Sequence, residues 1–332
     1  MANVFIQTNE PDENRVIVFG RGDDGGLTKL KTIATGGKGD GVPHLTSQGS
    51  VVLAHDGTHL LVANTGSGDL SVITADGEPS LVAVVPTGAA PKSVAEHAGL
   101  VYVLNSGAPS LAGFRLGKDG LEPIEGSLRE LAADADPAQA GFSPDGSSLI
   151  VTQRGTNSIA VFPVQADGLL GEPEDSASAG PTPYGFAFAA DGALVVTEAF
   201  GAEKGRAAAS SYRLAGLAAE PVSRSVGNGR SEICWAVVTG RHVFTTNFAD
   251  GAVSSWTIGD DGELTLVDAV AATAVEGQPG LRDEDLTPDG RYLYAIDADE
   301  GRIFGWSVDG ASLTPIGSWD GIPASIAGLA AS

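Results

Sequence analysis

Apolar residues in this chain come in short runs, and the runs come in groups separated by turns rich in Gly and Asp. Residues 50–85 show the unit. Ser50–Ala54 is an apolar run, His55-Asp56-Gly57 a turn, His59–Ala63 a second run and Asn64-Thr65-Gly66-Ser67-Gly68 a second turn. Leu70–Ile73, the turn Asp76-Gly77 and the run Leu81–Val85 complete it. Runs this short, bounded by turn residues, predict strands rather than helices, and Asp-Gly supplies the positive φ of a tight hairpin. The unit is repeated seven times. Each second strand ends on a polar residue, at Asn9, Asn64, Asn105, Gln153, Glu198, Asn247 and Asp297, with spacings of 55, 41, 48, 45, 49 and 50 residues. A strand-built period of about 40 to 50 residues predicts a β-propeller. The expected fold is therefore all-β: a seven-bladed β-propeller of four-stranded antiparallel blades, forming a single domain over residues 1–332. The blades fall at residues 3–41, 50–89, 91–134, 138–179, 183–226, 232–274 and 280–319.

Two further regularities refine this. The third strands end in aromatics, Phe19, Phe114, Phe162, Tyr212, Trp256 and Trp306, which are expected to pack between neighbouring blades. The first repeat begins on its second strand, Val4-Phe5-Ile6-Gln7, and lacks an inner one. Residues 322–331 near the C-terminus look like an inner strand with no blade of its own. They are predicted to join blade 1 and close the ring, which removes the exposed edges of an open sheet.

Composition agrees: 46 Gly and 18 Pro suit many tight turns, and 42% apolar residues suffice for a core. No run approaches the roughly 18 apolar residues of a membrane span. Met1–Phe5 shows no basic segment leading into an apolar one, so the expectation is a cytoplasmic protein without a signal peptide. Cys234 stands alone, which excludes an internal disulfide and a cysteine-based zinc site and suggests a buried, inert thiol. The formal charge of −23 argues against nucleic acid and anionic membranes as partners. A monomer or weak dimer is expected.

The string Leu60-Leu61-Val62-Ala63-Asn64-Thr65-Gly66-Ser67-Gly68-Asp69-Leu70-Ser71-Val72-Ile73, with the Pro-Asp-Gly turns at 144–146 and 288–290, resembles the repeat of the seven-bladed lactonase-type propellers. That family includes 6-phosphogluconolactonases and 3-carboxymuconate cyclases. The resemblance spans the chain and implies a site of His, Arg and Glu on the inner strands and loops of the middle blades. Where the family has Pro-His ahead of the blade 4 inner strand, this chain has Ala138-Gln139-Ala140. Where it has Pro-Arg-His in blade 5, this chain has Pro183-Tyr184-Gly185, and the following Asn-Glu appears as Thr197-Glu198.

In such a repeat, the loops after the second strands and the loops entering the inner strands open on one face, here termed upper. Candidate residues cluster there. Glu198 is the expected acid/base, with Arg154 and Arg282 holding an anion and polarising a carbonyl. Asp283 belongs to Arg282-Asp283-Glu284-Asp285, a charged run on an inner strand that is apolar elsewhere. Charges there need partners or a ligand, so either an ion-pair network or a substrate or cation site is expected. His44, Tyr184, Arg230, Glu232, Trp235 and Asn247 are the expected substrate-binding residues, with His44 taken as an exposed loop histidine. Lys92 adds to the basic groups at this mouth. Asp297 and Asp299 present the hard oxygen ligands that suit Ca²⁺ or Mg²⁺, although no cofactor is required. Two functions stay open: a hydrolase or cyclase/isomerase of a small anionic lactone or carboxylic acid, and a non-catalytic propeller that binds a metabolite, cation or protein.

Overall fold

The second strands explain the architecture. In Asn3–Gln7, Leu194–Glu198 and Tyr292–Asp297 every residue is buried, because each blade is covered on both faces by its neighbours. The structure, a computed structural model describing residues 2–332, arranges the strands as seven antiparallel sheets, six of them running from channel to rim in chain order and the first starting from the C-terminal strand. Blade 2 is representative: Val51–Leu53, His59–Asn64, Asp69–Thr74 and Leu81–Pro86. The outer strand of blade 3 is split, since Gly120–Pro123 and Arg129–Glu130 both pair with Ser110–Gly117.

Ala327–Ala331 closes the ring on blade 1, with Ala331 opposite Val4 and Ala330 opposite Phe5. The third-strand aromatics are buried as expected, Tyr212 and Trp256 completely. Fully burying side chains of this size contributes about 1.5–3 kcal/mol each, so the interfaces between blades carry much of the stability.

The polar ends of the second strands are also buried, and they tie loops together. Asn64 Oδ1 accepts from Asn14 Nδ2 and from Thr35 Oγ1, both at 2.8 Å, while Asn64 Nδ2 donates to Ser71 Oγ at 2.7 Å.

One local feature positions the functional side chains. The inner strands of blades 3 to 7 are entered through residues with positive φ: Ala90 (55°), Asp136 (40°), Thr182 (59°), Glu232 (55°) and Gly280 (138°). A register shift follows at once in each, across Pro91/Ser93, Pro137/Gln139, Pro183/Phe186, Ile233/Ala236 and Leu281/Glu284. These are β-bulges, which re-aim a side chain by breaking alternation. The bulged positions carry Lys92, Ala138, Tyr184, Cys234 and Arg282.

Candidate active site at the upper mouth of the channel

Blade 2 is entered differently. Residues 35–50 form a long upper connection that enters the channel. His44, Leu45 and Thr46 hold φ of 67°, 52° and 48°, left-handed values that cost non-glycine residues energy and persist only where the surroundings fix them. The anchors are specific. His44 N donates to Ile326 O at 2.9 Å, and Trp235 Nε1 donates to Ser47 O at 2.8 Å. Across the channel, Gln48 Nε2 donates to Ala236 O at 2.8 Å and Ala236 N returns a bond to Gln48 Oε1 at 3.1 Å. Gly185 is required beside it, since a Cβ there would lie 2.2 Å from Gln48 Oε1. The loop is a plug that joins blade 2 to the inner strand of blade 6.

The plug carries His44 into contact with two other blades. Its Nδ1 bonds the carboxylate of Asp283 from blade 7, and its Nε2 lies 2.6 Å from the hydroxyl of Tyr184 from blade 5. A carboxylate only accepts, so Nδ1 carries a proton; in the neutral imidazole Nε2 is then the acceptor for the Tyr184 O–H. His44 is therefore buried rather than exposed, at 7% accessibility, because its strained loop turns inward. The second oxygen of Asp283 accepts from the backbone N–H of Gly328 in the closing strand. Burial holds the Tyr184 hydroxyl well above its ordinary pKa, so it stays protonated at any ordinary pH.

Basic groups surround this chain of bonds. The Arg154 guanidinium lies 5.3 Å from the Tyr184 ring centroid and pairs with Asp136 at 2.6 Å. Arg282 lies 4.4 Å from the ring centroid of Phe248 and 3.5 Å from Asp299 Oδ1. Lys92 is 3% exposed, and burial, helped by the positive charge of Arg154, pushes its ammonium down to about 8. Cys234 packs with Ala138, Tyr184 and Trp235, and burial pushes its thiol up to about 12, the inert state expected of it.

Other predicted residues lie elsewhere or do other work. Glu198 is fully buried within blade 5, where Gly180 N (2.8 Å), Ser210 Oγ (2.5 Å) and Ser225 Oγ (2.7 Å) all donate to it. Burial raises its pKa against those bonds. It pins two strands of blade 5 and the loop that enters that blade. Asn247 is likewise internal, bonded to Asn228 and Ser254. Arg230 lines a separate hollow of about 720 Å³ with Lys204 and Asp250, between blades 5 and 6. Glu232 supplies its backbone carbonyl to Phe248 N at 2.9 Å, and Trp235 braces the plug. Asp297 Oδ1 accepts from Asp299 N (3.1 Å) and Glu300 N (3.0 Å), while the Asp299 carboxylate turns to Arg282, so the two do not converge as ligands. Among the described residues, no three His, Cys, Asp or Glu side chains come together in a way that would hold a metal ion.

The charges on the inner strand of blade 7 do not pair with one another: Arg282 turns to Asp299, and Asp283 and Asp285 mainly serve backbone N–H groups. Asp283 and Asp285 cap the free edge of the closing strand, Asp285 Oδ2 accepting from Ala331 N at 2.9 Å. Other blades achieve the same capping with neutral side chains: Ala140 N donates to Ser93 Oγ at 3.1 Å and Phe186 N to Gln139 Oε1 at 2.6 Å. Side chains of one inner strand thus satisfy the channel-facing edge of the next. Sequence reasoning overlooked Lys92 as a buried group and the plug altogether. The 55-residue spacing from Asn9 to Asn64, the longest in the repeat, was the available signal.

Comparison with known proteins agrees with this architecture. The family model described as "Lactonase, 7-bladed beta-propeller" matches residues 121–200 and 196–323. No curated protein matches the chain. Among solved structures, the periplasmic gluconolactonase of Pseudomonas aeruginosa superposes with a TM-score of 0.78 at 18% identity, covering 99% of this chain and 98% of that one. A functionally unknown protein from Desulfotomaculum acetoxidans gives 0.77 at 14% identity over 99% and 98%. Virginiamycin B lyase from Staphylococcus aureus gives 0.59 at 13% identity over 83% and 85%. At these identities the likeness is one of fold, and the last shows the architecture in an enzyme with another activity.

Proposed function

Because the chain belongs to the seven-bladed β-propeller lactonase family, we propose that it hydrolyses a small lactone bearing an anionic group at the upper mouth of its channel. The observation that carries this reading is the buried chain Asp283–His44–Tyr184, assembled from blades 7, 2 and 5. Asp283 fixes the imidazole tautomer, and Nε2, which the Tyr184 hydroxyl occupies in the resting protein, takes a proton from water once that hydroxyl turns to the substrate. That water attacks the lactone carbonyl, and Tyr184, kept protonated by its burial, donates a hydrogen bond to the oxygen that gains charge. The ring C–O bond then breaks, and His44 returns the proton to the departing alkoxide. Arg154 and Lys92 hold the anionic group, Arg154 by its planar fork and Lys92 as a point charge. The histidine missing from blade 4 of this chain is replaced, in this reading, by one from the blade 2 loop. No cofactor takes part, and the partner is the small anion.

The test is a panel of lactones, including a gluconolactone with and without a terminal phosphate, on wild type, His44→Gln and Tyr184→Phe. Opening above the spontaneous rate, reduced at least about 100-fold by His44→Gln, supports the reading. Turnover indifferent to both substitutions removes the relay from the mechanism. A non-catalytic reading draws on the plug, since Ser47 and Gln48 are bonded to blade 6 across the space a substrate needs. It predicts that anions stabilise the protein and that no lactone is opened.

A further inference from the structure

The upper face holds a second concavity, apart from the channel. A hollow of about 720 Å³ opens between blades 5 and 6, the size of a small-molecule site. Four segments build it. The loop after the second strand of blade 5 brings Lys204, and the entry to blade 6 brings Arg230 and Ser231. The turn Phe248–Asp250 brings Asp250, and the connection leaving the outer strand of blade 6 brings Glu276. Hydrogen bonds between these segments fix the walls. Ser231 N donates to Asp250 Oδ2 at 2.6 Å, Gly205 N to Ser231 Oγ at 3.0 Å and Ala207 N to Arg230 O at 3.0 Å.

Those bonds leave charge unused. The Arg230 guanidinium has no hydrogen bond and no ion pair among the described residues, and its Nε is buried without a partner. Every other arginine except the exposed Arg224 bonds a carboxylate, a carbonyl or a hydroxyl. Asp250 spends one oxygen on Ser231 N, and its Oδ1 accepts nothing. Lys204 and Glu276, both exposed at the rim, also enter no ion pair among the described residues. Two cations and two anions thus line one hollow without closing on one another. A buried N–H with no acceptor is costly and calls for a use. Opposite charges held apart across a cavity are complementary to a molecule that carries both signs.

We infer that the hollow between blades 5 and 6 binds a small zwitterionic amino acid, its carboxylate on Arg230 and its ammonium on Asp250. A guanidinium offers a carboxylate two parallel donors. The Ser231 hydroxyl, which accepts from Gly205 N and bonds no acceptor of its own, can add a third. Ala202, Ala249 and Val270 supply small and apolar wall for the carbon chain. A simple anion fits less well, since Asp250 and Glu276 repel it and the overall charge of −23 opposes its approach. A simple cation meets Arg230 and Lys204 instead. A zwitterion carries no net charge, and the hollow's own four charges sum to zero. The site shares no residue with the chain Asp283–His44–Tyr184 and does not depend on the lactonase reading.

The probes are glycine, β-alanine and 4-aminobutanoate, which differ in the separation of their charges. Each is titrated calorimetrically into the full-length protein at neutral pH and low salt, with acetate and methylammonium as controls. We expect at least one of the three to bind and to raise the melting temperature, with each control at least about tenfold weaker. Arg230→Gln and Asp250→Asn should each weaken that binding at least about tenfold, the asparagine keeping an oxygen for Ser231 N. His44→Gln should leave it unchanged, which separates this site from the lactone site. No binding of any of the three to wild type at about 10 mM overturns the inference. Acetate or methylammonium binding as tightly as the amino acid makes the hollow a plain anion or cation site, and overturns it without any variant. Binding that survives both Arg230→Gln and Asp250→Asn places the amino acid elsewhere and overturns it as well.

Discussion

The upper and lower halves of one channel are lined by the same inner strands, yet they present opposite chemistry. Above the plug are Lys92, Arg154 and Arg282 around His44 and Tyr184. Below it are Asp285 and Glu96 in a wall of mixed polar and apolar side chains. The difference arises where each strand stops being regular. At the upper end, a left-handed residue and a bulge turn Lys92, Tyr184, Cys234 and Arg282 towards the axis. Below, the strands keep their regular alternation. The repeat builds the barrel, and the breaks in the repeat carry the chemistry.

The harshest way to break this comparison is to remove the strand both halves share. Deleting residues 322–332 takes away Ile326 and Leu329, both essentially buried, and bares the edge of Asn3–Gln7. It also uncaps Asp283 and Asp285 at once. The expected loss exceeds about 5 kcal/mol, from burial of about 1.5–3 kcal/mol per large side chain and about 1–3 per orphaned polar group. Denaturant unfolding should show it, if soluble protein is obtained at all. An unchanged midpoint would mean that the ring does not need its closing strand.

Next in size are substitutions confined to the upper half. His44→Gln should lower lactone turnover by about 10²–10⁴, and Tyr184→Phe by a smaller factor, since it removes a donor and keeps the ring. Lys92→Met should raise KM with little change in kcat, because it removes binding common to ground and transition states. Steady-state kinetics on the lactone that wild type opens best separates these outcomes. A fall in kcat alone for Lys92→Met would place the amine in the chemical step.

A gentler probe sets the halves against each other by pH. Asp285, raised by burial from 3.8 to about 7, keeps in the fold a proton that the unfolded chain has already lost. Stability should therefore fall as pH rises from about 4 to 7, with Glu284 acting in the same direction. Lys92, lowered by burial from 10.5 to about 8, has lost in the fold a proton that the unfolded chain keeps. Stability should rise from about pH 8 to 10.5. Each contribution is on the order of 2 kcal/mol after allowing for water that reaches the side chains. Asp285→Asn should lessen the first slope only and Lys92→Met the second only, read from unfolding midpoints across pH. A slope unmoved by its own variant would mean that another group titrates there.

The ring, the strand order and the closing strand were legible because they depend on periodicity and turn chemistry, both of which are local. The grouping of Tyr184 with Arg154 and Arg282 was legible as a face, since strand ends of one polarity open together. His44 was placed on the correct loop and in the wrong environment, because nothing local says that a loop after blade 1 will bond to blade 6. Bulges hid the rest. Alternation cannot show that Lys92 and Cys234 turn to the axis, and the carboxylates of Asp283 and Asp285 looked like an ion-pair network until their backbone partners were placed.

Glu198 provides the smallest and most pointed test. By sequence it is the survivor of the family's acidic position, and so the expected acid/base. By structure its oxygens receive Gly180 N, Ser210 Oγ and Ser225 Oγ, all in blade 5 or the loop that enters it. Glu198→Gln keeps the shape and one carbonyl oxygen, and Ser225 can rotate to accept from the new amide. The raised pKa of Glu198 means that the substitution also removes a charge the fold holds at a cost. Loss and gain nearly cancel, so stability should change by less than about 1 kcal/mol. Turnover should stay within about twofold, because a neutral amide can pin the same loops. A loss of about 100-fold with an unchanged melting temperature would return Glu198 to the chemistry. The working centre would then lie in blade 5, and the contrast between the channel's two halves would no longer locate it.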